Sequence, residues 1–437
     1  MKLENLLKAS MPNSMIKRGL TVFKEKYKPL KILLEQRKVP EEGLPEDLIK
    51  TFIIFLSSFD TDKDPRVSRV GEREARVTSA LISEFSGGFN HGVGRSGDLI
   101  APQPKAPGSS LLYYLANKLA FDALRNFGLP NIENAIVLPV ATGMALALAL
   151  TVAREKSGKF EVIYPRVDHK SPLKAITFVG MEAKILDGVI VGDAVKIPVE
   201  DIERAISKQT AAILSTTTFF PPREPDDVVE IAKIADKFDV FHVINNAYGV
   251  QSKEIMGSIR KAIDNGRVDV IVQSTDKNFL TPVGGSIIAS PNEDLLMEIS
   301  STYPGRATAS PILQFVIAIL SLGIKGYEQL RDKQTLCKQL LEEKLDALAN
   351  KYGERLLEVW NPTAVAMTLN SKREPKKVGY QLYALRVTGA RVLNPTDFGV
   401  CCKKYVSPYI TLSAAIGCSE KDVLTAVKRL DKVLQSA

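Results

Sequence analysis

The sequence predicts an α/β protein with a mainly parallel sheet covered by helices. Short apolar runs alternate with helical repeats from about residue 110 to residue 290, the pattern of strands joined by crossover helices. The composition agrees: 437 residues, 45% apolar and 25% charged, supply a large core and exclude a disordered or fibrous chain. The residues best suited to chemistry fall just after predicted strands, where sites gather in such folds.

Residues 1–57 read as helices, because Leu3, Leu6 and Leu7, then Phe23, Tyr27, Leu30, Leu33 and Leu34, recur on one helical face. Pro40 and Pro45 end these runs. A connector rich in Asp and Ser, 57–68, leads to a short helix expected over 72–84. The segment 86–109 is rich in glycine and proline, and so long an irregular loop in a compact domain implies that it binds something. Helix 110–126 opens the alternating series, followed by strand 135–140, helix 143–154, strand 160–164, helix 171–179, strand 182–186, helix 199–206 and strand 211–215. Helix 226–237, strand 239–244, helix 252–264 and strands 268–273 and 285–289 complete it. A long helix over 311–351, with a break near Gly323 and Gly326, leads to a smaller α/β segment ending in an amphipathic helix, 420–435. Three parts are expected: a basic helical extension (1–60), a cofactor-binding body (61–310), and a linking helix with a small C-terminal domain (311–437).

The net charge is +8, and residues 1–40, with ten basic and three acidic side chains, carry +7 of it. Such an end suits a polyanion such as nucleic acid, or a solvated basic helix face. Cys337, Cys401, Cys402 and Cys418 lack CxxC spacing, so free thiols in a reducing compartment are expected. His91, His169 and His242 are too scattered for a local metal motif, and no metal is expected. The uncharged run 135–153 is interrupted by Pro139, Thr142 and Gly143, which points away from a membrane span and toward the cytoplasm.

Three strand ends carry candidate chemistry. Thr142, Gly143 and Met144 form a strand-to-helix turn whose free amides suit a phosphate, or simply a tight turn. Asn245-Asn246-Ala247-Tyr248-Gly249 follows the strand ending near residue 244. Lys277 follows the strand ending near residue 273, where a lysine must be solvated, paired or used covalently.

This order of glycine turn, Asn-x-Ala-Tyr-Gly and strand-end lysine, followed by Gly284-Gly285, resembles the fold-type I pyridoxal-phosphate enzymes, the aspartate aminotransferase-like superfamily. The resemblance implies pyridoxal 5'-phosphate as cofactor, held at its phosphate by Thr142, Gly143 and Met144, stacked on by His169 and bound covalently by Lys277. Asn245 then stands where an aspartate usually faces the pyridine nitrogen. Four further strings, Gly71-Glu72-Arg73-Glu74-Ala75-Arg76, Asn90-His91-Gly92-Val93-Gly94-Arg95-Ser96-Gly97-Asp98, Asn245 to Gln251 and Asp276-Lys277-Asn278-Phe279, resemble the O-phosphoseryl-tRNA(Sec) selenium transferase family. That resemblance implies conversion of phosphoserine on tRNA(Sec) to selenocysteine, with selenophosphate as selenium donor, in a homotetramer arranged as a dimer of dimers. It assigns the substrate phosphate to Arg95, Ser96, Gln103 and Arg306, and places Arg73 near the cofactor across a dimer interface. It assigns tRNA contacts to Lys38 and to Arg391, the latter reading the unpaired base beside the acceptor end. Two other readings remain: a cysteine desulfurase-like enzyme, disfavoured because Cys401-Cys402 lies in a predicted strand region, and a non-catalytic tRNA-binding protein on the same scaffold.

Overall fold

The computed structural model describes residues 11–370 and 373–436; Leu3, Leu6, Leu7, Lys2 and Lys8, read above as part of a basic helical end, lie outside them. Helix α1, Asn13–Gln36, stops where Arg37 turns left-handed at φ 56°. Pro45 starts a helix rather than ending one: it precedes α2, Glu46–Ser57, whose Glu46 and Asp47 sit favourably against the helix dipole. Leu30 and Leu33 of α1 and Leu48, Phe52 and Leu56 of α2 join the main hydrophobic core. The N-terminal helices are therefore packed on the body and not merely attached to it.

The helix expected over 72–84 is reduced to α3, Ala80–Phe85, capped by the Ser79 hydroxyl. The preceding chain is diverted because Glu74 and Ala75 adopt left-handed φ values of 48° and 55°. The Arg76 guanidinium donates to the Gly71 carbonyl at 3.1 Å and to the Arg69 carbonyl, occupying carbonyls outside any helical ladder.

The alternating series follows as read, with small shifts at its ends: α4 Pro107–Asn126, β1 Asn134–Leu138, α5 Thr142–Ser157, β2 Glu161–Pro165, α6 Lys170–Phe178 and β3 Glu182–Leu186. A short hairpin, β4 Val189–Val191 and β5 Ala194–Lys196, is an addition to the sequence reading. Then come α7 Val199–Ala205, β6 Thr210–Thr216, α8 Val228–Lys237, β7 Phe241–Asn245, α9 Lys253–Asn265, β8 Val270–Ser274, α10 Thr275–Phe279 and β9 Ser286–Ser290. Helix α11, Glu293–Ser301, was also not anticipated. The seven strands lie in the order β1-β9-β8-β7-β6-β2-β3, all parallel except β9. Strands β7, β8 and β9 are buried at every residue, as a sheet covered on both faces requires.

Helix α12, Ser310–Tyr352, kinks at Gly323, where φ 63° and ψ −178° leave the helical region. A Cβ there would sit 2.6 Å from the Glu42 carbonyl carbon, so glycine lets residues 40–43 cross the helix. The crossing is sealed by Ile324 and Lys325 amides donating to the Pro40 and Glu41 carbonyls, each at 3.0 Å. Although α12 is long and apolar enough to cross a membrane, Ile312, Phe315, Val316, Ile319 and Leu320 are buried in the main core. Its second half packs Leu341, Leu345 and Leu348 into a separate core. That core is completed by β10 Ala364–Thr368, α13 Pro375–Ala384, β11 Arg391–Leu393, β12 Tyr409–Ser413 and α14 Glu420–Ser436, whose strands pair antiparallel in the order β10-β12-β11.

Cys401 and Cys402 lie in the irregular stretch between β11 and β12, not in a strand. Cys401 has φ 61°, and its amide and that of Gly399 donate to Asp168 at 2.8 and 2.9 Å. This loop therefore binds back onto the large sheet's own connections instead of pairing as a strand.

Candidate functional site

Strands β1, β2, β6, β7 and β8 point their C-terminal ends to one edge of the sheet, and β9 begins there. Register fixes the meeting: Ser286 pairs with Leu138 on one side and Ser274 on the other. The turn after β1 and the lysine after β8 thus flank the first residue of β9. A cavity of about 880 Å³ opens at this edge, lined by His169, Thr216, Asn245, Tyr248 and Lys277 from the large sheet side. Its opposite wall comes from the small-sheet side, including Gly389, Ala390 and Arg429.

Lys277 sits in the single turn α10, directly after the buried end of β8. Its neighbour Asn278 is fully buried and anchors that turn, donating to the Ala247 and Ser274 carbonyls at 3.0 and 2.7 Å and accepting from the Val250 amide at 3.1 Å. Gln251 adds a bond from its side-chain amide to the Lys277 carbonyl at 3.4 Å. The backbone of the lysine is held while its amine, in no ion pair among the described residues, is exposed to the cavity.

The residues present fit pyridoxal phosphate. Asn245, the last residue of β7 and 6% exposed, has no hydrogen-bond partner for its side-chain oxygen, nor has the buried Thr216 hydroxyl, and both line the cavity. Two buried polar atoms without partners are costly unless a ligand satisfies them. Helix α5 begins after Ala141 with no side-chain cap, leaving its first amides free for an anion. Gly143 has a packing reason as well: a Cβ there would meet the Ser171 hydroxyl at 2.2 Å. His169 precedes α6 and follows Asp168, which takes the Arg166 guanidinium at 2.7 and 3.2 Å. Desolvation at the cavity wall, then the cations Lys277 and Arg391, hold the His169 imidazole below the usual histidine range.

Arg391 therefore belongs to this edge. Its guanidinium lies 4.3 Å from the Phe220 ring centre and 5.2 Å from that of Phe219, a cation–π platform following β6. Lys38 is exposed, just past the end of α1.

Of the other predicted residues, Arg95 and Ser96 lie in the loop that packs on the segment carrying Arg306. The loop 86–109 pairs with residues 303–307, through Val93 against Ala307 and the Gly97 amide on the Gly305 carbonyl at 3.3 Å. Arg306 donates to the His91 carbonyl, and burial with the nearby Arg73 charge holds it below the usual arginine range. Arg95 and Ser96 are exposed at the loop's turn, and Gln103 is half-buried. Arg73, Arg95 and Arg306 stand in no ion pair among the described residues, and Glu74, whose charge acts on Arg306, is itself paired with Lys105, so these guanidiniums are suited to an anion. None of these residues lines the cavity that holds Lys277.

The chain matches the family model described as O-phosphoseryl-tRNA(Sec) selenium transferase, SepSecS, over residues 59–435. The chain belongs to this family. Curated O-phosphoseryl-tRNA(Sec) selenium transferases of Methanopyrus kandleri and Methanocaldococcus jannaschii are each 47% identical to it, over 98% of this chain and 100% of the first, and 97% and 98% for the second. The crystal structure of an archaeal O-phosphoseryl-tRNA(Sec) selenium transferase superposes with a TM-score of 0.94 at 45% identity, covering 97% of this chain and 98% of that one. The crystal structure of Oryza sativa TDC with PLP, 12% identical with a TM-score of 0.62, shares the fold alone. The selenium transferase family thus shares its α/β fold with a structure that carries PLP.

Sequence reasoning missed Thr216, Phe220 and the Gln251–Asn278 clamp. Thr216 and Phe220 follow the same strand-end logic that found Lys277, applied to β6. The clamp had little local signal, because apart from the Asn278–Ser274 bond it joins residues far apart in the chain.

Proposed function

We propose that this chain converts O-phosphoseryl-tRNA(Sec) to selenocysteinyl-tRNA(Sec), with Lys277 as the catalytic base and covalent anchor of the cofactor. The observation that carries the assignment is the exposed Lys277 amine in one cavity with the buried, partnerless Asn245 oxygen. Bound pyridoxal phosphate supplies an electron sink for charge developing at the substrate Cα. The Lys277 amine takes the Cα proton. Arg95, Ser96, Gln103 and Arg306 bind the dianionic phosphate and stabilise the charge it gains as its bond to Cβ breaks. Selenium from selenophosphate then adds at Cβ, water removes the donor's phosphoryl group, and Lys277 returns a proton to Cα. Thr142, Gly143 and Met144 hold the cofactor phosphate, and His169 stacks on its ring. Asn245, a neutral amide, favours the protonated pyridine nitrogen less than a carboxylate would, a sink sufficient when phosphate is the leaving group.

The family resemblance implies a site completed by a second copy, with Arg73 crossing the interface, in a dimer of dimers. Lys38 contacts the RNA backbone and Arg391 reads the unpaired base beside the acceptor end, where an arginine fork discriminates and a lysine does not. The protein works in the cytoplasm, where charged tRNA is found. The desulfurase reading is disfavoured by burial: Cys401 is fully enclosed and its thiol is pushed up to about 12, so it is not a ready nucleophile.

Turnover of phosphoseryl-tRNA against free phosphoserine tests the reading. Strong preference for the tRNA-bound form is expected, and equal use of both overturns it. In Lys277→Ala, borohydride should no longer fix the cofactor to the protein; a retained adduct refutes the lysine assignment.

A further inference from the structure

Three buried polar atoms beneath the loop 86–109 have no hydrogen-bond partner: Asp62 Oδ1, His91 Nε2 and Arg306 Nε. They belong to one assembly. His91 Nε2 faces Asp62 Oδ1 at 3.9 Å, and both side chains are almost wholly enclosed. The Arg306 guanidinium donates to the main-chain carbonyl of that same His91. The other oxygen of Asp62 accepts from Lys63 Nζ at 2.7 Å and from Asn90 Nδ2 at 2.9 Å, while the Asp62 carbonyl accepts from Arg69 at 2.7 Å. One enclosed carboxylate thus faces two consecutive residues, Asn90 and His91, at the entry to the loop.

The fit beyond that point leaves little slack. Gly92 has φ 70°, and a Cβ on it would lie 2.2 Å from the Ala307 carbonyl oxygen. The Val93 amide bonds that same carbonyl at 2.9 Å. A rotation of the chain at His91 would therefore shift the residues next to Arg306. The choice of acceptor is also informative. A carboxylate paired with Arg306 would orient it but neutralise it, whereas a carbonyl orients the guanidinium and leaves its charge for an anion.

We propose that Asp62, acting through His91, is a positioning residue for the anion-binding guanidinium of Arg306. The inference rests on the reading of Arg306 as a ligand of the substrate phosphate. Asp62 touches neither substrate nor cofactor; it fixes the direction in which the His91 carbonyl points.

The test is a double-mutant cycle on the holoenzyme, with phosphoseryl-tRNA as substrate and inorganic phosphate as competing anion. Asp62→Asn should raise KM and the phosphate inhibition constant by about tenfold, the size of one charge-assisted hydrogen bond, with cofactor absorbance unchanged. His91→Gln should do the same, and it carries the cycle where Asp62→Asn fails to fold. Because the effect passes through Arg306, either change combined with Arg306→Ala should be no worse than Arg306→Ala alone. Additive losses would make the Asp62–His91 contact a general structural one and overturn the proposal. Silent Asp62→Asn and His91→Gln beside a damaging Arg306→Ala overturn the proposal alone. A silent Arg306→Ala removes the phosphate reading itself, and the proposal falls with it.

Discussion

The side-chain amide of Gln251 donates to the main-chain carbonyl of Lys277 at 3.4 Å. Its oxygen accepts from the Ile416 amide at 2.9 Å, so one residue, 3% exposed, joins the lysine turn to the loop after β12. Gln251→Leu keeps the volume and strands both partners, and a buried group left unsatisfied costs about 1–3 kcal/mol. The expected outcome is a stability loss of about 2 kcal/mol by denaturant titration, with kcat falling several-fold while the KM for tRNA holds. An unchanged denaturation midpoint and an unchanged kcat together would show that the bridge positions nothing.

Asn245 presents a neutral oxygen, buried and without a partner, at the position proposed to face the cofactor's pyridine nitrogen. Asn245→Asp would favour a protonated pyridine nitrogen and strengthen the electron sink. Elimination of phosphate should survive, and transamination-like by-products should rise. Product partitioning read by chromatography checks this, and a ratio equal to that of the parent enzyme counts against the role of the amide.

His242 gives a pH dependence of stability. Its ring is fully buried between the Ser215 hydroxyl at 2.8 Å and the Arg267 carbonyl at 3.1 Å. Burial lowers its pKa to about 4 from 6.5, so the unfolded chain binds the proton more readily than the folded one. Stability is thus fully present above the unfolded pKa and is lost as pH falls from about 6.5 toward 4. Linkage gives a loss of about 2 kcal/mol at pH 5 relative to pH 7 from this group. Denaturation midpoints at both pH values, in the parent and in His242→Asn, measure it. If the variant keeps the parent's full acid sensitivity, His242 is not its source.

The alternating strands and the strand-end positions of Lys277, Asn245 and His169 were legible in sequence, because a parallel sheet turns local apolar periodicity into a shared edge. The kink at Gly323 was legible for a similar reason, since glycine within a long helix marks either a break or a close approach. The stretch 72–84 was misread because its helical spacing is overridden by Arg76 bonding to the Gly71 and Arg69 carbonyls, a tertiary choice with no periodic signature. The assembly of Asp62, His91 and Arg306 was equally hidden: Asp62 lies in a connector, and His91 meets Arg306 only because residues 303–307 pair with the glycine loop.

Lys38 and Arg391 should fail in different ways when changed, which separates holding RNA from reading it. Lys38 is an exposed point charge beyond α1. Lys38→Ala should weaken tRNA binding without altering base preference and should lower the slope of log affinity against log salt by about one. Arg391 is fixed by its stack on Phe220, so its fork has a set direction beside the cavity. Arg391→Lys keeps the charge and discards the planar fork, and the salt slope should hold while preference at the unpaired base collapses by about 1–3 kcal/mol. Binding of tRNA variants at that base, measured at two salt concentrations, decides the matter. Retained base preference in Arg391→Lys would leave Arg391 as a phosphate contact, and a base-selective loss in Lys38→Ala would reverse the two roles.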